Sequence, residues 1–370
     1  MKLIRTTLGW FLCVLFFILF IITLSLGRLL PSIPLLVISL LVNPLVGGLF
    51  KRKSVKITMF FVRIILAVFL LFAFVILSFI YSSQQPLYQS SELKQKLWKI
   101  YDAKLAQWPV PNTIRFVDCD YGKVHVIISG PEEAPPVILL HAASMGGWSW
   151  LYNVEALSQD YRTYAIDYIG EPGKSVLTDM NKVPMDGKAL SDLYGHIADE
   201  LGISEPCYLI GASFGGYIAV NHAIHAPERI KKIALLGPMG ITPATSSVNT
   251  KLILYMLFPL KLFQDKMLHW ALGDNPEVLA ETEEWFRLVL NGVTRKGAPP
   301  MTFTPEQLNE VKVPVLLVLG DKDQLVGDPE LVKPLAQNVP EIKIKTLASA
   351  HLIGLEKADE VNALVKEFFK

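Results

Sequence analysis

The first 81 residues contain three long apolar runs, at residues 8–26, 31–50 and 57–81. A helix needs about 20 apolar residues to cross a bilayer core of about 30 Å, so the first and third runs predict membrane-spanning helices. The second run is interrupted by Pro34, Asn43, Pro44 and a Gly47-Gly48 pair, which leaves both a spanning and a re-entrant helix open. A removable signal peptide is the competing interpretation of the first run, but its apolar core is usually only about 7–15 residues long. The pattern predicts an all-α transmembrane region of two or three helices over residues 1–81, with the lipid bilayer as a partner.

Basic residues surround these runs unevenly. The N-terminal tail has two, the first loop has one and the second loop has four, and no acidic residue precedes Glu92. Because Lys and Arg accumulate in cytoplasmic loops, we expect the N-terminus and the second loop in the cytoplasm. Three crossings then give an integral membrane protein, in the cell membrane, whose C-terminal domain faces outward. A re-entrant second run would place that domain inside.

Residues 82–112 change from a polar stretch to helical spacing. Apolar residues recur at this spacing at Leu93, Leu97, Ile100, Tyr101 and Leu105. Trp108-Pro109 then ends the pattern, because proline cannot continue a helix. We expect a linker that contains one amphipathic helix.

From residue 113 to residue 370 the chain alternates between strand and helix periods. Thr113–Cys119 and Lys123–Ser129 alternate apolar with polar residues on either side of a turn, which predicts a β-hairpin. Six short apolar runs of strand length follow: Val137–Leu140, Tyr164–Ile166, Tyr208–Ile210, Ile233–Leu236, Val315–Leu319 and Ile342–Ile344. Helix-period stretches lie between most of them or after the last: Trp150–Ser158, Asp186–Leu201, Gly216–His225 and Asp359–Phe369. This alternation predicts an α/β fold with a mostly parallel sheet and helices on both faces.

One connection in this domain is too long for a simple crossover. About 78 residues separate Leu236 from Val315, and they are rich in Leu, Phe, Met and Trp at helical spacing. We therefore expect an inserted helical cap near residues 240–310, over the carboxyl edge of the sheet.

Charge and cysteine content narrow the possible functions. The whole chain has 35 basic and 34 acidic residues, but eight of the basic ones lie in the first 80 positions, so the remainder carries a charge of about −7. Nucleic-acid binding needs a basic face on the folded domain, and no nucleic-acid partner is expected. Three scattered cysteines make neither a disulfide framework nor a zinc site, and the histidines lack metal-ligand spacing. No metal or organic cofactor is expected.

The segment Gly211-Ala212-Ser213-Phe214-Gly215 follows an apolar strand and precedes a helix. A serine at so tight a strand-to-helix turn has a strained backbone that exposes its hydroxyl. The flanking Gly211 and Gly215 leave room for the neighbouring strand and helix. We interpret this motif as a nucleophile elbow with Ser213 as the nucleophile.

A serine nucleophile needs an imidazole base that a carboxylate holds in place. Two carboxylates, Asp321 and Asp323, follow the predicted strand Val315–Leu319, and His351 follows the strand Ile342–Ile344. Both candidate acids and the candidate base thus come after strands of the same predicted sheet.

From about Thr113 to Lys370 the chain resembles the α/β-hydrolase superfamily, and its overall run is similar to microbial carboxylesterases of that group. The order of Ser213, Asp323 and His351 along the chain is the order found in this superfamily. Two further motifs carry the resemblance: Leu139-Leu140-His141-Ala142-Ala143 and Asp167-Tyr168-Ile169-Gly170-Glu171-Pro172-Gly173-Lys174-Ser175. The resemblance implies an α/β-hydrolase fold for residues 113–370.

The resemblance also implies roles for individual residues. Ser213 would be the nucleophile, His351 the general base and then acid, and Asp323 the carboxylate that orients His351, with Asp321 as the alternative acid. The backbone N–H groups of Phe214 and Ala143 would form the oxyanion hole.

Ala142 is a departure from the family pattern, which usually has glycine after His141. If this position needs a positive φ, alanine costs on the order of 1 kcal/mol or shifts the loop. The next residue, Ala143, still supplies a backbone N–H.

The leading hypothesis is a membrane-anchored serine hydrolase that cleaves carboxylic esters through an acyl-enzyme. The aromatic and methionine-rich cap suggests a small-molecule ester with an apolar acyl or alcohol group. A peptidase or an acyltransferase could use the same three side chains. A domain kept only for binding or sensing, with Ser213 idle, is the non-enzymatic alternative.

Overall fold

The computed structural model describes residues 12–20, 29–42, 85–179, 182–243, 275–297 and 299–370, with single residues and pairs between 66 and 77 and between 265 and 273. The chain divides into two compact units. The smaller unit is Met1–Gln85 with Leu254–Pro259, and the larger unit is Pro86–Ile253 with Leu260–Lys370.

In the smaller unit, residues 12–20 are helical and helix α1 spans Leu29–Val42. Pro34 lies inside α1. The hydroxyl of Ser39 donates to the carbonyl of Cys13 at 2.8 Å, and Leu35 is buried. A side-chain hydrogen bond and apolar contacts therefore join these two segments.

The predicted membrane localisation, with its lipid-bilayer partner and outward-facing domain, is wrong. Among the residues that the structure describes, no helix has both the length and the apolar character that a bilayer crossing requires. Helix α1 has 14 residues and at 1.5 Å per residue extends about 21 Å, short of the roughly 30 Å of a bilayer core. The predicted spans 8–26 and 57–81, and the end of 31–50, lie largely outside the described residues.

The larger unit is built on one sheet. Its strands are β1 (Asn112–Cys119), β2 (Gly122–Ser129), β3 (Pro136–Leu140), β4 (Arg162–Ile166), β5 (Val176–Leu177), β6 (Cys207–Ala212), β7 (Ile230–Leu236), β8 (Val315–Gly320) and β9 (Ile342–Leu347). They lie in the order β1-β2-β4-β3-β6-β7-β8-β9, and β5 pairs with β2. The pairs β1–β2, β2–β4 and β2–β5 are antiparallel, whereas every pair from β4–β3 to β8–β9 is parallel.

The central parallel strands β3, β6 and β8 are apolar along almost their whole length because both faces of the sheet are covered there. The edge strand β9 instead alternates isoleucine with exposed lysine. In β3, Ile138 and Leu140 belong to one buried cluster, and Val137 and Leu139 belong to another. Alternate side chains of a strand point to opposite faces, so a strand buried on both faces needs apolar residues at every position. This is why the runs Val137–Leu140, Tyr208–Ile210 and Val315–Leu319 are apolar without interruption.

The described helices of the larger unit connect or cover these strands. They are α2 (Ser91–Leu105), α3 (Leu151–Leu157), α4 (Gly187–Glu200), α5 (Phe214–His225), α6 (Pro276–Gly292), α7 (Pro305–Asn309), α8 (Pro329–Ala336), α9 (Ile353–Glu356) and α10 (Ala358–Phe369). Helices α6 and α7 fall within the predicted cap, of which residues 244–264 lie outside the described residues.

Helix α2 is part of the larger unit, although the sequence placed it in a linker. Ser90 caps its N-terminus by accepting a hydrogen bond from the backbone N–H of Leu93, and Leu97 and Tyr101 are fully buried. The hydroxyl of Tyr101 donates to the carboxylate of Asp167 at 3.0 Å. The amphipathic pattern found in the sequence is therefore the inner face of a core helix.

Asp167 is a buried carboxylate at the carboxyl end of β4. Besides Tyr101, it accepts hydrogen bonds from the backbone N–H groups of Gly147 at 2.6 Å and Lys174 at 2.7 Å, and it pairs with His125 at 3.1 Å. Burial acts to raise the pKa of Asp167, but His125 and the other contacts outweigh burial and hold this pKa below its ordinary value. The carboxylate thereby joins helix α2, strand β2 and two loops.

Candidate active site

Ser213 lies between the end of β6 and the start of α5, in a backbone conformation that non-glycine residues rarely adopt. Its φ is 51° and its ψ is −112°, and Ser144 is the other described non-glycine residue with positive φ. The backbone N–H of Ser213 donates to the carbonyl of Leu236 at 2.9 Å, and its carbonyl accepts from Met239 at 3.0 Å. Such a conformation costs about 1–3 kcal/mol and persists only where its surroundings fix it.

Gly211 and Gly215 are glycines because backbone atoms lie too close for any side chain. A Cβ on Gly211 would come within 2.5 Å of the carbonyl oxygen of Gly215, and one on Gly215 within 2.1 Å of the carbonyl oxygen of Leu140. The turn around Ser213 therefore depends on both glycines, as the elbow interpretation requires.

Ser213, His351 and Asp323 lie next to one another. His351 Nε2 is 2.8 Å from Ser213 Oγ, and His351 Nδ1 is 2.8 Å from Asp323 Oδ2. All three residues are buried. Each follows the carboxyl end of a parallel strand (β6, β8 or β9), so the sheet itself gathers them at one edge.

The two candidate acids have different environments. Asp323 contacts His351 and accepts hydrogen bonds from the backbone N–H groups of Leu325 at 2.9 Å and Val326 at 3.0 Å. Burial acts to raise the pKa of Asp323, but the contact with His351 and the two N–H groups together hold this pKa below its ordinary value. Asp321 is exposed and accepts from the backbone N–H of Ser349 at 3.1 Å. The structure thus brings Asp323 to the imidazole and directs Asp321 to a neighbouring loop.

Phe214 and Ala143 are the expected oxyanion-hole residues. Phe214 directly follows Ser213, and Ala143 lies in the loop after β3. Phe214 is the first residue of α5, and the N–H groups in the first turn of a helix have no acceptor within the helix. Ala143 follows β3 by three positions and precedes Ser144. Both backbone N–H groups lie in segments that approach the carboxyl edge of the sheet.

The possible penalty at Ala142 does not arise. Ala142 has no positive φ, and the positive φ of this loop falls on Ser144, at 63°. Alanine is therefore compatible with the backbone at position 142, where its methyl group is buried among apolar side chains. The positive φ of this loop is at Ser144, so the loop needs no glycine after His141.

Ser144 is held by two residues that the sequence analysis did not single out. Its backbone N–H donates to Glu171 at 2.9 Å, and its carbonyl accepts from the indole N–H of Trp285 at 2.7 Å. Glu171 is buried and forms an ion pair with Arg295, whose guanidinium lies 5.4 Å from the ring centre of Phe214. Glu171 could have been found from the sequence, because it is the acidic residue of the glycine-rich loop after Asp167. Arg295 lies in the cap region, where no motif indicates its role.

His141 has a structural environment, as the motif around it suggested. Its Nδ1 lies 2.7 Å from the carbonyl of Ala142, and its own carbonyl accepts from the hydroxyl of Tyr168 at 2.6 Å. Complete burial lowers the pKa of His141. A buried, neutral imidazole with these contacts ties the loop after β3 to the loop after β4.

A pocket lies beside His351, on the side of the sheet covered by α3 and α9. Most of its lining is apolar and includes Ala142, Met145, Leu236, Leu352 and Ile353. Within the described part of the chain, no group of three or more His, Cys, Asp or Glu side chains is arranged to hold a metal ion. The site therefore combines a serine–imidazole–carboxylate series with an apolar pocket.

Comparison with known proteins identifies relatives of this arrangement. The sequence profile of the "Alpha/beta hydrolase family" matches residues 137–364. The chain is 31% identical over 298 residues to "Uncharacterized carboxylesterase nap" of Bacillus subtilis, an alignment that covers 74% of this chain and 92% of that protein. It is 28% identical over 285 residues to "Carboxylesterase YbfK" of the same organism, covering 74% of this chain and 93% of that protein.

A solved structure shows the same similarity in three dimensions. The crystal structure of naproxen esterase (carboxylesterase NP) from Bacillus subtilis matches with a TM-score of 0.68 at 28% identity, covering 76% of this chain and 99% of that chain. The α/β-hydrolase fold predicted from the sequence, and the resemblance to microbial carboxylesterases, are confirmed.

Proposed function

The chain belongs to the alpha/beta hydrolase family, and we propose that it is a serine hydrolase that cleaves carboxylic esters through an acyl-enzyme. The observation that carries this proposal is the unbroken series from Ser213 Oγ through His351 to Asp323, with both contacts at 2.8 Å. The names of the Bacillus relatives support an ester as the substrate.

In the first half of the reaction, His351 Nε2 accepts the proton of Ser213 Oγ as this oxygen attacks the carbonyl carbon of the ester. The carbonyl oxygen becomes negatively charged, and the backbone N–H groups of Phe214 and Ala143 donate hydrogen bonds to it. His351 then gives the proton to the leaving alcohol, and the acyl group stays on Ser213.

In the second half, water takes the place of the alcohol. His351 accepts a proton from the water, the resulting hydroxide attacks the acyl carbon, and the carboxylic acid leaves as Ser213 recovers its proton. Asp323 remains ionised throughout, since its pKa lies below the ordinary value. Its carboxylate orients His351 and stabilises the imidazolium that forms in both halves.

The pocket beside His351 supports an ester with an apolar acyl or alcohol group. Met145, Leu236 and Ile353 line this pocket, whose volume of about 20 Å³ has room for a methyl-sized part of such a group. A series of esters with increasing chain length would measure this preference, as the dependence of kcat/KM on chain length.

A fluorophosphonate probe, which reacts with activated serines, tests the proposal on the full-length protein. We expect the wild type to be labelled and to hydrolyse p-nitrophenyl esters, and Ser213→Ala to do neither while keeping the same thermal unfolding midpoint. Ser204→Ala is the matched control, since Ser204 is an exposed serine away from the site. A folded wild type that is neither labelled nor active would instead support the binding or sensing alternative.

A further inference from the structure

The loop that carries His351 runs from the end of β9 to the start of α9 and is buried. Ser349 is fully buried, and the exposed fraction is 6% for Ala350 and 8% for His351. Buried backbone and hydroxyl groups need hydrogen-bond partners inside the protein. The partners of this loop therefore decide where the imidazole of His351 lies.

Glu356, the last residue of α9, folds back over this loop. Its carboxylate oxygen Oε2 accepts from the hydroxyl of Ser349 at 2.8 Å and from the backbone N–H of Ala350 at 2.8 Å. Hydrogen bonds to an ionised carboxylate are roughly twice as strong as those between neutral groups. One carboxylate oxygen thus holds both of the residues that directly precede His351.

Further contacts join the same loop to the strand that leads to Asp323. The carbonyl of Ser349 accepts from the backbone N–H of Lys322 at 3.0 Å. A Cβ on Gly320, the last residue of β8, would lie 2.4 Å from that carbonyl oxygen and 2.6 Å from the carbonyl oxygen of Ala350. Because loop and strand are in direct contact, a shift of the loop changes the fit of the imidazole against its carboxylate partner.

We propose that Glu356 is a positioning residue that keeps His351 within hydrogen-bonding distance of Ser213 on one side and Asp323 on the other. This inference rests on the proposed ester hydrolysis. Both contacts of the imidazole are 2.8 Å long, and a general base must lie about 2.6–3.2 Å from the atom whose proton it accepts. Glu356 makes its hydrogen bonds to the two residues before His351, so it acts through them. A misplacement of about 1 Å can lower the rate about 10²-fold.

Glu356→Ala in the full-length protein removes both hydrogen bonds at once. We expect kcat for p-nitrophenyl esters to fall about 10²-fold while KM stays within about twofold, because the change acts on proton transfer to His351 rather than on binding of the ester. The rate constant for fluorophosphonate labelling should fall in parallel, since the probe also reacts with a serine that His351 activates. Both rates are referred to the number of sites labelled after prolonged reaction, so a loss of stability alone changes neither.

Two further variants separate the hydrogen bonds from the bulk of the side chain. Glu356→Gln keeps an oxygen acceptor and should recover kcat to within about fivefold of the wild type. Ser349→Ala removes one of the two hydrogen bonds and should lower kcat about tenfold. Because Ser349 acts through Glu356, the double alanine variant should be no slower than Glu356→Ala alone.

Glu360→Ala is the matched control. Glu360 is an exposed glutamate of α10 that forms an ion pair with Lys357. It is the same residue type four positions further along the chain, and its alanine variant should keep the wild-type kcat and labelling rate.

The outcomes separate this inference from the proposed function. A labelled and active wild type, with unchanged kcat and labelling rate in folded Glu356→Ala, overturns the positioning role and leaves the ester hydrolysis standing. A wild type that is neither labelled nor active overturns both. Where Glu356→Ala does not fold, Ser349→Ala decides, and wild-type kinetics in that variant overturn the positioning role.

Discussion

The carboxylate of Glu171 accepts a hydrogen bond from the backbone N–H of Ser144 at 2.9 Å. Ser144 follows Ala143, and the partner of Glu171, Arg295, lies over the ring of Phe214. One ion pair, between the buried Glu171 and the exposed Arg295, therefore contacts Ser144, the neighbour of Ala143, and the ring of Phe214. We expect Glu171 and Arg295 to position these groups from outside the proposed oxyanion hole.

Glu171→Gln should lower kcat about tenfold, equivalent to about 1.4 kcal/mol, with little change in KM. The amide can still accept from Ser144, but the hydrogen bond loses its charge assistance and Arg295 loses its partner. Steady-state kinetics on p-nitrophenyl esters measure the split between kcat and KM. Glu132→Gln, at an exposed glutamate, is the control. Equal kinetics for both variants would remove Glu171 from this role.

Asp323→Asn should reduce kcat by about 10³–10⁴-fold, because an amide cannot stabilise the imidazolium or hold the imidazole in the required tautomer. Asp321→Asn should keep activity within about twofold of the wild type, since Asp321 is exposed and contacts Ser349 instead of His351. The two substitutions are chemically identical and two residues apart. A larger loss for Asp321→Asn would reverse the assignment of the acid.

Ser213→Gly should unfold with a free energy about 1 kcal/mol greater than that of Ser213→Ala, because glycine adopts positive φ without strain. Both variants lack the hydroxyl and should be inactive. Glu155, exposed within α3, is the control position, and there the alanine variant should be the more stable one. Urea denaturation measures all four variants. The same sign at both positions would mean that the elbow stores no backbone strain.

Asp167→Asn should destabilise the protein by about 3 kcal/mol at neutral pH, because it breaks a buried charge network. The folded pKa of Asp167 lies below its ordinary value, so its contribution to stability is complete above the unfolded pKa and decreases as pH falls below about 5. The difference between variant and wild type should therefore shrink in acid.

Unfolding free energies at pH 7 and pH 3 test this dependence, because the contribution is lost mainly below the unfolded pKa. Asp192→Asn is the control, since Asp192 forms an exposed ion pair with Lys188 and should change stability little at either pH. A difference for Asp167→Asn that stays constant with pH would show that its charge has no part in stabilising the fold.

The sheet and the elbow were predictable because their signals are local. Each central strand is buried on both faces, so its residues are apolar one after another. Glycines two positions before and two positions after Ser213 mark the elbow. The contact of Glu171 with Arg295 was not predictable, because 124 residues separate them and no spacing rule relates a loop to a distant cap segment. Ser144 was missed for a different reason: serine at positive φ leaves no mark in the sequence.

The membrane prediction failed at the step from composition to structure. The apolar composition of a segment shows only that a helix formed there would be hydrophobic. A bilayer crossing also needs one uninterrupted helix of about 20 residues. Helix α1 has 14 residues, and the twelve from 31 to 42 belong to the second apolar run. Side chains such as Leu35 are buried by contacts within the unit, which is a second way for apolar residues to leave water.

The burial of Tyr101 has a practical meaning for anyone who shortens this protein. A fragment that starts at β1 would lose α2, uncover the apolar surface beneath Leu97 and leave the carboxylate of Asp167 with one donor fewer. Sequence alignment to a catalytic core would suggest that cut, and the product should aggregate. The place to trim is ahead of Pro86, where the larger unit begins, because Leu87 is buried and Gln89 donates to the carbonyl of Gly292 before Ser90 caps the helix.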